Sequence, residues 1–364
     1  MIAGRIARRM LVAPRARPEE AELGPALDRL GGEVIRIRSR DGLRLSARWL
    51  DADPAEPADP GDLAWRPDPA DPAWRPDPEH PAWRPDAYEA IVLLHGYSGS
   101  VAPDLVEYGP VLRRTAGVLG LDFRGHGESD PGETTFGLRE VEDVAGALAW
   151  LGERGIRRVA LAGTSMGGIV AIAATVVLGD GGLAGVDADP DAPRLTSPAP
   201  RPRIVGIVAE AVTAELPTVV ANRIRGPGLV RRWLARRAFA SAADLLGEDP
   251  RATEPIRVLA LLEDLPVLLI HGEADTTVPI AEGRRLAAAA GPGTEHWTIA
   301  GAGHALGRRT SPEAWDGRVT SFLRGAFRAG RDREVALGIL GSPAVESSDV
   351  KDALPPPEEA DQLA

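Results

Sequence analysis

The chain contains no cysteine, which excludes disulfides, thiolate metal ligands and a thiol nucleophile together. It also lacks any run of about 18 apolar residues, so no segment reads as a transmembrane helix. Lys351 is the sole lysine, every other basic side chain being arginine, and the formal net charge is −11. That balance excludes nucleic-acid binding through a basic surface. Missing thiols fit a reducing compartment, and a cytoplasmic location is expected.

Apolar residues make up 44% of the 364 positions, enough to bury a substantial core. Residues 1–30 read as a basic arm, with Arg5, Arg8, Arg9, Arg15 and Arg17 interleaved with Ile2, Ile6, Met10 and Leu11. An arm packed loosely on the domain, or a frayed terminus, is the first expectation. A short amphipathic helix making weak membrane-surface contact, and hence a membrane-peripheral protein, is the alternative. Residues 31–330 form the expected main domain. Within it, residues 52–87 repeat Ala-Trp-Arg-Pro-Asp from Ala64, Ala73 and Ala82, and proline bars helix or sheet there. The expectation is a duplicated surface loop. Gly179 to Arg203 is a second loose excursion, and 341–364 an acidic, disordered tail.

Between these segments, apolar runs of strand length alternate with helical periodicity. Val34–Arg38 and Leu43–Leu50 flank Asp41-Gly42, a hairpin signal. The runs Ala90–Leu94, Gly117–Phe123, Arg158–Ala162, Ile204–Ala209, Pro266–Ile270 and His296–Ala300 follow. Leu138, Val141, Val144, Leu148 and Leu151 share a helical face after a cap at Thr134 or Thr135. Arg284–Ala290 and Trp315–Phe327 are further helix candidates. The expected fold class is α/β: an eight-stranded, mostly parallel sheet, second strand antiparallel, with helices on both faces and a small helical cap at about 213–264. Ligands bind beyond the carboxyl ends of such strands, so the chemistry is sought there.

Gly163-Thr164-Ser165-Met166-Gly167 follows one run and opens an apolar helix. Side chains at 163 and 167 would strike backbone in so sharp a turn, which lifts the Ser165 hydroxyl into the open. A serine needs a base. Of six histidines, His80 lies in the repeat, His95 directly follows a strand, His126 sits in Arg124-Gly125-His126-Gly127, His271 lies at the exit of Pro266–Ile270, and His296 within a strand. His304, after the last strand, is the candidate base. Asp275, just past Pro266–Ile270, is preferred to Glu273 as the carboxylate that orients it. Backbone N–H groups of Met166 and Tyr97 are the expected oxyanion hole, with Gly96 loosening the turn before Tyr97. The loop at 95–99 lacks a P-loop lysine and dinucleotide spacing.

Leu94 to Tyr97, Asp122 to Ser129, Gly163 to Gly168, His271 to Pro279 and Gly301 to His304 together resemble the α/β-hydrolase superfamily. Small bacterial serine esterases and serine-peptidase-like hydrolases with a modest cap are the nearest in kind. The resemblance implies hydrolysis through an acyl-enzyme, no metal and no organic cofactor, and a small-molecule acyl substrate. Thr164 departs from the His common before the nucleophile, and the cap carries no recognised signature. Its Arg225, Arg231, Arg232, Arg236 and Arg237 are expected to form a solvated face, and its few aromatics do not suggest a stacking pocket. Carboxylesterase action is the leading reading. Thioesterase or peptidase action is the alternative, and a non-catalytic binding protein on the same fold ranks third.

Overall fold

In a computed structural model that describes residues 2–12, 22–53, 88–97, 99–179 and 201–337, the strand runs carry side chains alternately to two cores. Ala90, Val92, Leu94, Val159, Leu161, Val267 and Leu269 face one, and Ile91, Leu93, Ala160, Ala162, Leu268 and Ile270 the other. This is the period-two geometry of a sheet covered on both faces.

The elements are, in order, α1 (Ile2–Met10), α2 (Gly24–Leu30), β1 (Glu33–Arg38), β2 (Arg44–Leu50), β3 (Glu89–Leu94), α3 (Ala102–Leu112), β4 (Gly117–Leu121), α4 (Glu140–Glu153), β5 (Arg158–Thr164), α5 (Met166–Leu178) and β6 (Arg203–Glu210). Then come α6 (Leu216–Arg223), α7 (Gly228–Leu246), α8 (Pro255–Val258), β7 (Val267–Gly272), α9 (Ile280–Ala289), β8 (Thr294–Ile299), α10 (Gly307–Thr310) and α11 (Pro312–Ala336). The strands form one eight-stranded sheet in the order β1-β2-β4-β3-β5-β6-β7-β8. β2 runs antiparallel to both neighbours, and all other pairs are parallel. α4 and α5 cover one face, α3 and α11 the other.

Several boundaries differ from the sequence expectation. β4 ends at Leu121 rather than Phe123. Beyond it, the Phe123 amide donates to His95 Nε2 at 3.1 Å and the Asp122 carboxylate accepts the Val101 amide at 2.7 Å, so the backbone leaves the ladder. α4 begins at Glu140, without a side-chain cap at its own N-cap residue. Thr135 instead caps the preceding turn, its Oγ1 accepting from the Arg139 amide at 2.8 Å and donating to Glu140 at 2.7 Å. α11 runs past Phe327 to Ala336, where Glu334 meets the buried Arg158 guanidinium at 2.6 Å.

α1 lays Ala7 and Met10 against the core, followed by Leu11, and packs beside α7. Its Arg5, Arg8 and Arg9 stay exposed. Helices α6 to α8 fill the stretch between β6 and β7. The repeat units at 64–86, residues 180–200 of the second loose segment and the tail at 341–364 lie outside the described residues. Among the described residues no helix is long and apolar enough to cross a membrane.

Candidate active site

The turn between β5 and α5 is sterically forced. A Cβ on Gly163 would sit 2.3 Å from the carbonyl carbon of Gly167, and one on Gly167 would sit 1.9 Å from the carbonyl oxygen of Leu94. Gly96 differs, since a Cβ there would meet nothing nearer than 3.6 Å. Ser165 itself sits at φ 51°, ψ −110°, a conformation that is strained for any residue with a side chain. Two backbone bonds hold it there: its N–H donates to the Glu210 carbonyl at 2.8 Å, and its carbonyl accepts from Ile169 at 3.2 Å.

Strand exits bring the other two residues to the same place. His304 Nε2 lies 3.0 Å from Ser165 Oγ, and His304 Nδ1 lies 2.7 Å from Asp275 Oδ2. The other Asp275 oxygen accepts the amides of Thr277 and Val278, each at 2.8 Å. A carboxylate held by two amides can only accept, so the His304 proton belongs on Nδ1. Nε2 is then bare toward the serine hydroxyl. The carrier loops are stitched together: the Glu273 amide donates to the Ile299 carbonyl at 3.0 Å, and that of Ala274 to Ala302 at 2.9 Å. Glu273 is exposed, whereas Asp275 is buried.

Three other histidines are tied to backbone. His271 Nε2 meets the Val278 carbonyl at 2.8 Å, His126 Nδ1 the Arg124 carbonyl at 2.9 Å, and His95 Nδ1 the Gly96 carbonyl at 2.7 Å. Met166 is the first residue of α5, a position whose N–H has no partner within its helix. Tyr97 follows the β3 exit. Its ring stacks on Phe136 at 5.7 Å, and its hydroxyl faces the carbonyls of Arg9 and Met10, each at 3.3 Å. Among the described residues no group of three or more His, Asp or Glu side chains is placed to hold a metal.

Ser165 opens onto a cavity of about 600 Å³. Its walls are largely apolar, with Met166 and Ile169 from α5, Leu216 and Val220 from α6, Phe239 from α7, and Phe136. α1 adds Ile6 and Met10, so the N-terminal arm is part of the cavity wall.

Glu210 escaped the sequence reading. It is 3% exposed, and its two oxygens accept the Gly307 amide at 2.8 Å and the Trp315 indole N–H at 3.1 Å. Burial pushes its carboxyl above the usual carboxylate range, against the pull of those two donors. The available signal was an acid closing the apolar run Ile204–Ala209, since an acid ending a buried strand needs partners. Phe136 and Phe239 were not recoverable, because loop and helix aromatics carry no mark of which cavity they will line.

No curated protein matches the chain. Among solved structures, two crystal forms of the esterase Pf2001 from Pyrococcus furiosus are similar. They align with TM-scores of 0.54 and 0.55 at 20% and 21% identity, over 87% of this chain and 99% and 98% of theirs. A thermophilic esterase from Thermogutta terrifontis aligns at TM-score 0.49 and 17% identity, over 81% of this chain and 99% of that one. At such identities the likeness to Pf2001 concerns the fold. A model of the alpha/beta hydrolase family matches residues 91–317, spanning the sheet from β3 through β8 and every residue of the Ser165–His304–Asp275 cluster. By that match over more than half its length, the chain belongs to the alpha/beta hydrolase family.

Proposed function

We propose that this protein hydrolyses carboxylic esters through an acyl-enzyme on Ser165. The observation that carries the reading is the continuous hydrogen-bonded relay from Ser165 Oγ through His304 to Asp275, at 3.0 Å and 2.7 Å, opening on an apolar cavity. Ser165 Oγ attacks the acyl carbon while His304 Nε2 takes its proton. The oxyanion is held by the amides of Met166 and Tyr97. His304 then returns the proton to the departing alkoxide as the bond from carbon to the leaving oxygen breaks. Water, deprotonated by the same imidazole, releases the acid and regenerates the serine. Asp275 keeps the imidazole in the tautomer this sequence needs and stabilises its cation. Each oxyanion donor typically supplies about 3 kcal/mol of transition-state stabilisation.

Hydrolysis of p-nitrophenyl esters from acetyl to palmitoyl, by wild type and Ser165→Ala, tests the reading. Activity that vanishes in the variant, with a chain-length optimum set by the cavity, is expected. Fluorophosphonate labelling of Ser165 without hydrolysis of any ester would move the assignment to amide or thioester cleavage. Absence of labelling would remove the nucleophile.

A further inference from the structure

Two arginines share the Ser165 cavity. Arg9, from α1, and Arg223, from the end of α6, both line it, and both are exposed at its rim. They flank one side chain. The Arg223 guanidinium lies 5.7 Å from the centre of the Tyr97 ring, and the positive charges of both Arg223 and Arg9 act on the Tyr97 hydroxyl, opposing the burial that pushes its pKa up. Among the described residues neither makes an ion pair, although Arg40, Arg44, Arg124, Arg139, Arg158, Arg285 and Arg308 all do. The chain is strongly acidic at −11, so carboxylates are plentiful, and two cations lining one cavity without one is not a matter of supply. An anion at that wall would meet two cations for which no carboxylate of the described residues competes.

We propose that the preferred substrate is an ester that carries an anionic group, a carboxylate or a phosphate, with Arg9 and Arg223 as its specificity-determining residues. The anion sits at the rim beside Tyr97, and the apolar chain lies along Met166, Ile169 and Phe239 with the scissile carbonyl at Ser165. This rests on the ester-hydrolase reading above. It also gives the N-terminal arm a role, because α1 supplies one of the two cations.

Two matched substrate pairs test the idea and locate the anion. On the acyl side, mono-p-nitrophenyl adipate is compared with p-nitrophenyl hexanoate. On the leaving-group side, 4-hexanoyloxybenzoate is compared with its methyl ester. Wild type should favour the anionic member of one pair, and added salt should reduce that preference. The ratio of kcat/KM for anionic over neutral ester should fall about tenfold in the double variant Arg9→Gln, Arg223→Gln. The double variant Arg9→Lys, Arg223→Lys should retain most of it, which separates charge from loss of fold. The pair that shows the preference tells which side of the scissile bond carries the anion. Hydrolysis with no anionic preference in either pair, or a ratio unmoved by the Gln substitutions, overturns the proposal and leaves the ester reading standing. Failure to hydrolyse all four esters overturns both.

Discussion

Glu210 and Gly307 stand 97 residues apart in the chain, and the Glu210 carboxylate accepts the Gly307 amide at 2.8 Å. Its other oxygen accepts from Trp315 on α11, and its carbonyl accepts from Ser165. One residue thereby fastens the nucleophile's backbone on one side and the segment following His304 on the other.

The Glu210→Ala variant should lose both stability and rate. It strands two N–H donors in the interior, each costing about 1–3 kcal/mol, and frees the chain just after His304. A displacement of the base by about 1 Å costs on the order of a hundredfold in rate. The loss should appear in kcat with KM little changed, because Glu210 does not line the cavity. Glu210→Gln, which retains one acceptor, should fall between. Steady-state kinetics alongside urea unfolding measures both effects, and a variant that unfolds more easily but turns over at the wild-type rate would remove the positioning role.

Asp275→Asn tests the tautomer argument. The amides of Thr277 and Val278 both donate to Asp275 Oδ1, so the Asn carbonyl oxygen should take that side and its NH2 should face His304. His304 Nδ1 must then accept, its proton moves to Nε2, and the base is blocked. A fall in kcat of about 10⁴ is expected, with the thermal midpoint nearly unchanged. A loss of only a few fold would mean that His304 finds its tautomer without Asp275.

Much of this site was legible because each strand exit announces itself. Gly163 and Gly167 mark backbone contacts closer than any Cβ tolerates, and Asp275 and His304 come next after short apolar runs whose ends are easy to place. What was not legible came from partners distant in the chain. Phe123 was read as strand because it is apolar, yet its amide goes to His95 instead of the ladder. The end of α11 was missed because its last turns are mostly polar, and only Arg158 on β5 explains why Glu334 is buried. Among the cap arginines, the sequence offered 225, 231, 232, 236 and 237. The one lining the cavity with Ser165 is Arg223, at the end of α6, together with Arg9 from the N-terminal helix.

Arg158 anchors that terminal helix. It is 1% exposed and pairs with Glu89 at 3.0 Å and Glu334 at 2.6 Å, while Arg331 also reaches Glu89. Burial pushes the Glu89 carboxyl above its usual range, and both arginines oppose that rise without cancelling it. Arg158→Met leaves buried Glu89 with Arg331 alone and takes from buried Glu334 its ion-pair partner, and should cost about 3–5 kcal/mol. Replacing Arg158, Glu89 and Glu334 together with apolar residues of similar volume should restore most of that loss, because no buried carboxylate of the set remains. Urea midpoints of the single and triple variants check this, and a triple variant weaker than the single one would show that the network stabilises beyond charge compensation.

Acid should weaken the fold through His296 on β8. Its Nε2 is buried and without a partner among the described residues. Burial lowers its pKa first, and repulsion from His271 and Arg284 lowers it further. The folded state therefore resists protonation that the unfolded chain accepts near pH 6.5. The stability associated with a neutral His296 is held above that value and lost as the pH falls below it, through the depressed folded pKa. Wild type should unfold at lower urea at about pH 5 than at about pH 8, and His296→Gln should show a smaller difference between the two. Equal pH dependence in the two proteins would assign the acid sensitivity to other groups.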